Sequence, residues 1–140
     1  MSYAKPTDQY LTQRILTASP EQLMVILLEG AQRYLGQAIQ AMGRKDHAAG
    51  AKSLSRVTEF LCEMVLQLNH EAGGELVENL NRIYDWWTLE VFEASQERDV
   101  ERLKVLSTHM GELRVTWEEL HNRQTRSATP PQFSTGDRVV

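Results

Sequence analysis

The residues of this chain with the widest chemistry are four histidines, His47, His70, His109 and His121, and one cysteine, Cys62. A helical zinc hydrolase site needs a His-Glu-x-x-His run, and none is present. Glu118-x-x-His121 has the spacing of half a di-iron site on a helix. A complete site needs a second such motif and two more inward carboxylates, and no second Glu-x-x-His exists. Glu118 follows the apolar Trp117 and is expected to face outward, so no metal is expected. A mid-helix histidine can also accept a phosphoryl group, as in histidine phosphotransfer bundles, where a lysine usually stands nearby. His109 is followed by Met110, Gly111 and Glu112, with no lysine in the next turn. Cys62 lies in the apolar helical run Phe60-Leu61-Cys62-Glu63-Met64, away from any helix N-terminus, and is expected to be a buried or half-buried structural thiol. Gly73-Gly74 lacks the preceding strand and the lysine of a phosphate loop and reads as a helix junction. No catalytic residue and no cofactor is expected.

The elements that would position these side chains are helices. Thr17-Ala18-Ser19-Pro20-Glu21-Gln22-Leu23 contains a nearly complete start signal. Ser19 can cap the first turn, Pro20 suits the first helical position, and Gln22 can reach back to the Ser19 N–H. Glu21 adds negative charge at the positive end of the dipole. The first long helix therefore runs from about Pro20 to Met42 and stops at Gly43, with apolar positions that include Leu23, Ile26, Leu27, Ala31, Tyr34 and Leu35. The second runs from a cap at Asp46 to about Asn69, with a stripe of Ala51, Leu54, Val57, Leu61, Met64 or Val65, and Leu68. The third runs from about Gly74 to Glu97 on Leu76, Leu80, Ile83, Trp87 and Val91. The fourth runs from a cap at Asp99 to about Arg123 on a narrow seam of Val100, Leu103, Leu106, Met110, Leu113, Trp117 and Leu120. No period-2 alternation or hairpin signal competes. Short links between helices of similar length predict an all-α, antiparallel up-down-up-down four-helix bundle over residues 19–124.

Residues 1–18 form an arm ahead of this bundle. Tyr10, Leu11, Ile15 and Leu16 predict one or two helical turns lying across it, too short to be stable alone. Residues 125–140 are polar, contain Pro130-Pro131 and lack periodicity, so a disordered tail is expected.

At 140 residues the chain is expected to be one domain with its own core. A formal net charge of −4 speaks against nucleic acid as the main partner, although it leaves room for a local basic patch. One cysteine excludes an intrachain disulfide. No apolar signal region stands near the start, and Leu23–Leu28 is far short of the ~20 residues that span a bilayer. A cytoplasmic protein without membrane insertion is expected.

One feature exceeds what a core requires. Tyr84, Trp86 and Trp87 cluster on the third helix. Neighbouring helical residues diverge by about 100°, so Trp86 and Trp87 cannot both be central in one seam. Either the third helix is the most buried, or part of its aromatic surface lines a groove for an apolar partner, covered when empty by the arm.

Several segments, in order, resemble the flagellar secretion chaperone FliS family. Tyr10, Ile15 and Thr17-Ala18-Ser19-Pro20-Glu21-Gln22-Leu23 match the family's Tyr…Val…Thr-Ala-Ser-Pro-Glu-Lys-Leu, with Gln22 for lysine. Leu27-Leu28-Glu29-Gly30-Ala31 resembles Leu-Tyr-Asp-Gly-Ala, with Leu28 for tyrosine. Gly73-Gly74-Glu75-Leu76-Val77-Glu78-Asn79-Leu80 and Ile83-Tyr84-Asp85 resemble Gly-Gly-Glu-Ile-Ala-x-Asn-Leu and Leu-Tyr-Asp. Glu112-Leu113-Arg114-Val115-Thr116-Trp117 resembles Glu-Leu-Arg-x-Ala-Trp. The similarity runs from about Tyr10 to Leu120. It implies a non-enzymatic export chaperone that binds the disordered C-terminal segment of flagellin, prevents its polymerisation and meets a component of the flagellar export gate. It implies an arm carrying Tyr10, Leu11 and Ile15, and a partner groove to which Asn79, Tyr84 and Trp86 are assigned. The alternatives are a signalling bundle that carries phosphate on His109 and a generic helical adaptor.

Overall fold

The computed structural model describes residues 6–69 and 73–128 and is helical, with no strand among those residues. Its elements are α1 (Pro6–Thr17), α2 (Pro20–Gly43), α3 (His47–Leu66), α4 (Glu75–Glu97) and α5 (Val100–Ala128). Most of the expected His70–Gly74 stop signal, the first five residues of the arm and the tail from 129 onward lie outside the described residues.

The capping box at Ser19 is complete. Gln22 N–H donates to Ser19 Oγ at 3.1 Å, and Ser19 N–H donates to Gln22 Oε1 at 2.9 Å. Asp46 and Asp99 cap α3 and α5 by accepting from Ala49 N–H and Arg102 N–H, each at 3.2 Å. The α2–α3 turn places its left-handed residue not on Gly43 but on Lys45, at φ 64°. Gly74 opens α4 at φ 92°, a backbone that a side chain would strain.

Two element boundaries differ from expectation. The arm is a 12-residue helix rather than one or two turns, because nothing between Pro6 and Thr17 breaks it. The last helix continues through Thr125-Arg126-Ser127-Ala128, residues expected to be tail. Polarity does not end a helix; the first residues that would are Pro130-Pro131.

α2 packs against α3 and α5, and α4 packs against the same two helices. Contacts across α2 and α5 run in opposite senses: Ser19 Oγ lies 3.3 Å from His121 Nδ1, Glu29 Oε2 4.0 Å from Arg114, and Gln32 Nε2 donates to Ser107 O at 3.0 Å. α4 and α5 are also opposed, with Glu90 on Arg102 and Trp86 on His109.

The core is continuous across the four helices and includes Leu28, Leu35, Val57, Leu61, Met64, Tyr84, Leu103 and Met110, all essentially without exposure. α2, not α4, is the most buried helix, with Met24 through Leu28 all inside. It is covered on two sides, so consecutive residues pointing in different directions are all shielded. On α4 the buried seam is Leu80, Tyr84, Trp87, Val91 and Ala94. Leu76 and Ile83, expected in that seam, are exposed, because the spacings through Ile83 and through Tyr84 are both helical and the neighbouring helices select Tyr84. On α3 the ambiguous position is Met64, and Ala51 is exposed. Cys62 is exposed rather than buried, because it is one step, about 100°, round from Leu61.

Candidate functional site

The adjacent tryptophans of α4 part company as helical geometry requires. Trp87 is 2% exposed and joins the core, whereas Trp86 is 47% exposed on the side that meets α5. There Trp86 forms the centre of an open groove made of two adjoining hollows of about 230 and 360 Å³. Ile83 and Glu90 lie on the α4 wall with it, and Val105, His109, Leu113 and Thr116 form the α5 wall. The Trp86 and His109 rings stand 6.2 Å apart at 34°. The result is a trough with aromatic and aliphatic side chains that is also lined by four carboxylates, Glu90, Asp99, Glu101 and Glu112.

An ionic cluster closes one end of this groove. Arg102 on α5 donates to Glu90 Oε2 at 2.7 Å, Glu93 Oε1 at 2.9 Å and Glu97 Oε1 at 3.1 Å, all on α4. Glu90 first, and then Glu93, hold the Arg102 guanidinium well above its ordinary range. The cluster ties the two walls together where the chain turns from α4 to α5.

The three groove residues assigned from the sequence have different fates. Trp86 lines the groove. Asn79 is exposed one turn before Ile83 on the same side of α4, where it accepts from Arg82 Nη1 at 2.9 Å, and does not line either hollow. Tyr84 is a correction: it is fully buried and cannot meet a partner at the surface. Its O–H donates to Met24 Sδ at 3.8 Å, and its ring lies 5.7 Å from that of Trp87. Burial pushes its phenol up to about 12, against a smaller opposing effect of Trp117. Sequence reasoning missed Ile83, Val105 and His109 as wall residues. The signal for Ile83 was its spacing of three from Trp86; the α5 residues carry no local signal, because only the α4–α5 contact makes them a wall.

The arm meets the rest of the chain at its end. Arg14 Nη2 donates to Glu29 Oε1 at 3.3 Å, and Glu29 is shared with Arg114 of α5. Beneath lies a cleft of about 400 Å³ between the arm, α2 and α5, lined by Thr17, Gln22, Ile26, Glu118 and His121 among others. Tyr10 and Ile15 are 67% and 42% exposed, and Leu11 is half-buried. The arm thus presents Tyr10 and Ile15 to solvent, and none of its described residues lines the α4–α5 groove. Glu118 and His121 border the arm cleft, and His109 faces Trp86; among the described residues no group of three or more histidine, cysteine, aspartate or glutamate side chains is placed to hold a metal.

Fold and site define a class: an all-helical protein whose surface offers an open aromatic groove between two helices and a sparsely anchored N-terminal helix. The family model described as "Flagellar protein FliS" matches residues 3–124, and the chain belongs to that family. Among relatives it is 24% identical to the flagellar secretion chaperone FliS of Salmonella typhimurium, over 76% of this chain and 79% of the relative. It is 27% identical to the flagellar secretion chaperone FliSB of Pseudomonas aeruginosa, over 75% of this chain and 83% of the relative. It is also 27% identical to the FliS chaperone of Campylobacter jejuni, over 76% and 84%. No helix among the described residues is long and apolar enough to cross a membrane.

Proposed function

We propose that this chain is a cytoplasmic, non-enzymatic export chaperone that binds the disordered C-terminal segment of flagellin and brings it to the flagellar export gate. The observation that carries this reading is the α4–α5 groove, where a tryptophan about half exposed stands among apolar side chains with a polar rim. An amphipathic helix folding on contact fits such a surface, its apolar face laid into the trough. Trp86 and Ile83 are the anchors, and Asn79 extends the contact along α4. Family membership supports the class of activity, and the groove supports the mode.

In this reading α2 to α5, residues 19–124, are an antiparallel up-down-up-down four-helix bundle that acts as the rigid part. Residues 1–18 are a movable arm. Tyr10, Leu11 and Ile15 compete with cargo for apolar surface, and the Arg14–Glu29 pair is the arm's tether. Displacing the arm offsets part of the energy gained from cargo, which keeps release possible. In this reading His109 serves the groove beside Trp86 and is not a phosphoryl acceptor.

Titration calorimetry of the full chain with the flagellin C-terminal peptide tests the proposal. Heat with a large negative heat-capacity change, weakened at least tenfold by Trp86→Ala, is the expected result. A peptide that neither releases heat nor raises the melting temperature would overturn it.

A further inference from the structure

The cations of this chain are unevenly satisfied. Arg14, Arg56, Arg82, Arg102, Lys104 and Arg114 are all ion-paired. Among the described residues Arg33, Arg44 and Lys52 form no ion pair; Arg33 is on α2, Arg44 caps its C-terminus and Lys52 is on α3, far along the chain from the α4–α5 groove. Arg44, Lys52 and Arg56 line a groove of about 460 Å³ between α2 and α3, together with Tyr34, Gln37 and Gln40. No acidic residue lines it. Its floor holds the small side chains of Ala41 and Ala49. Arg56 is held by Glu59 just outside the groove, which leaves Arg44 and Lys52 as the excess cations, so in a chain of net charge −4 this concave surface has a local field opposite in sign to that of the whole molecule.

We propose that the α2–α3 groove is a docking surface for a carboxylate-rich segment of a partner protein, separate from the α4–α5 groove. Lys52 and Arg56 are four apart on one helix face, so their Cβ atoms are about 6 Å apart, the same repeat as carboxylates at i and i+4 on a partner helix. Arg44 faces them from the other wall. Gln37 and Gln40 supply amide donors and acceptors for backbone or side-chain carbonyls. Nucleic acid is a poorer match. The Tyr34 ring is occupied by Arg33 at 5.5 Å, Arg56 at 6.0 Å and Phe60 at 5.8 Å, so it offers no free face for a base to stack on. The negative charge of the chain as a whole also opposes a polyanion that extends beyond the groove.

The test uses the full chain, labelled with ¹⁵N, and a synthetic helical peptide with glutamates four apart. Amide shifts confined to α2 beyond Tyr34 and to α3 up to Phe60 are expected, with binding that weakens as salt rises. The variant R44Q/K52Q should lose about tenfold in affinity, while R123Q, which removes a cation on α5 outside this groove, should bind as the parent does. Melting curves establish that the variants are folded; these side chains are exposed and outside the core. Shifts outside this groove, equal binding of a glutamine-substituted peptide, an equal loss in R123Q, or tighter binding of a single-stranded oligonucleotide would each overturn the proposal. The flagellin titration is independent of these outcomes.

Discussion

Trp86 and Trp87 show how one step along a helix separates surface from core. Trp87 is packed against Tyr84 in the core, so Trp87→Ala should cost about 3–5 kcal/mol in urea unfolding. Trp86 is about half exposed, so Trp86→Ala should cost less than about 1 kcal/mol and show its effect in cargo binding instead. Comparable losses of stability in both variants would count against Trp86 as a surface anchor. Tyr84 makes a prediction of a different kind. Its phenol ionises at about 12 in the folded chain against 10.0 ordinarily. Burial favours the neutral form, so the folded state holds its proton above the pH at which the unfolded chain releases it. This contribution is fully present below pH 10 and is lost as pH rises to about 12, a loss of about 2–3 kcal/mol. Ultraviolet titration should show one tyrosine ionising late, and Tyr84→Phe should flatten the fall of the melting temperature across that range.

At the scale of the element, the capping box was legible because its parts are neighbours in sequence. Ser19, Pro20 and Gln22 meet within one turn whatever the rest of the chain does. Ser19→Ala removes the acceptor for Gln22 N–H and should lower stability by about 1 kcal/mol. Denaturant unfolding checks this, and an unchanged midpoint would mean that the Ser19–His121 contact and the cap contribute nothing net. The α5 seam was equally readable, since Leu103, Leu106 and Met110 are all buried as its steps require. The α4 seam was not, because two sets of residues satisfy the same period and only the facing helices distinguish them. The Arg102 cluster was invisible for the same reason: its three glutamates lie on α4 within reach only after the turn at Arg98-Asp99 folds α5 back.

Across the whole molecule, α1 is the least anchored element. The other four helices share one core, while the described side chains of α1 contribute nothing buried to it and Arg14 pairs with Glu29. A 12-residue helix without packing is marginal in water. Hydrogen exchange should therefore find α1 amides far less protected than those of α2 around Leu28 and Leu35, which should exchange only with global unfolding. Protection of α1 equal to that of α2 would contradict a movable arm. Removing residues 1–18 should leave the melting temperature within a few degrees of the parent and change the affinity for the flagellin peptide.

The sequence by itself determined the helical class, the starts of the helices and the resemblance to the FliS family, because caps, periodicity and short motifs are local or follow one helix face. It also required that Trp86 and Trp87 diverge. Tertiary structure decided which of them faces out, that Tyr84 belongs to the core and Ile83 to the groove, and that α2 is the most buried helix. It decided too that Arg44, Lys52 and Arg56 share one groove. Each of these depends on which helices face one another, and the period of a single helix carries no information about its neighbour.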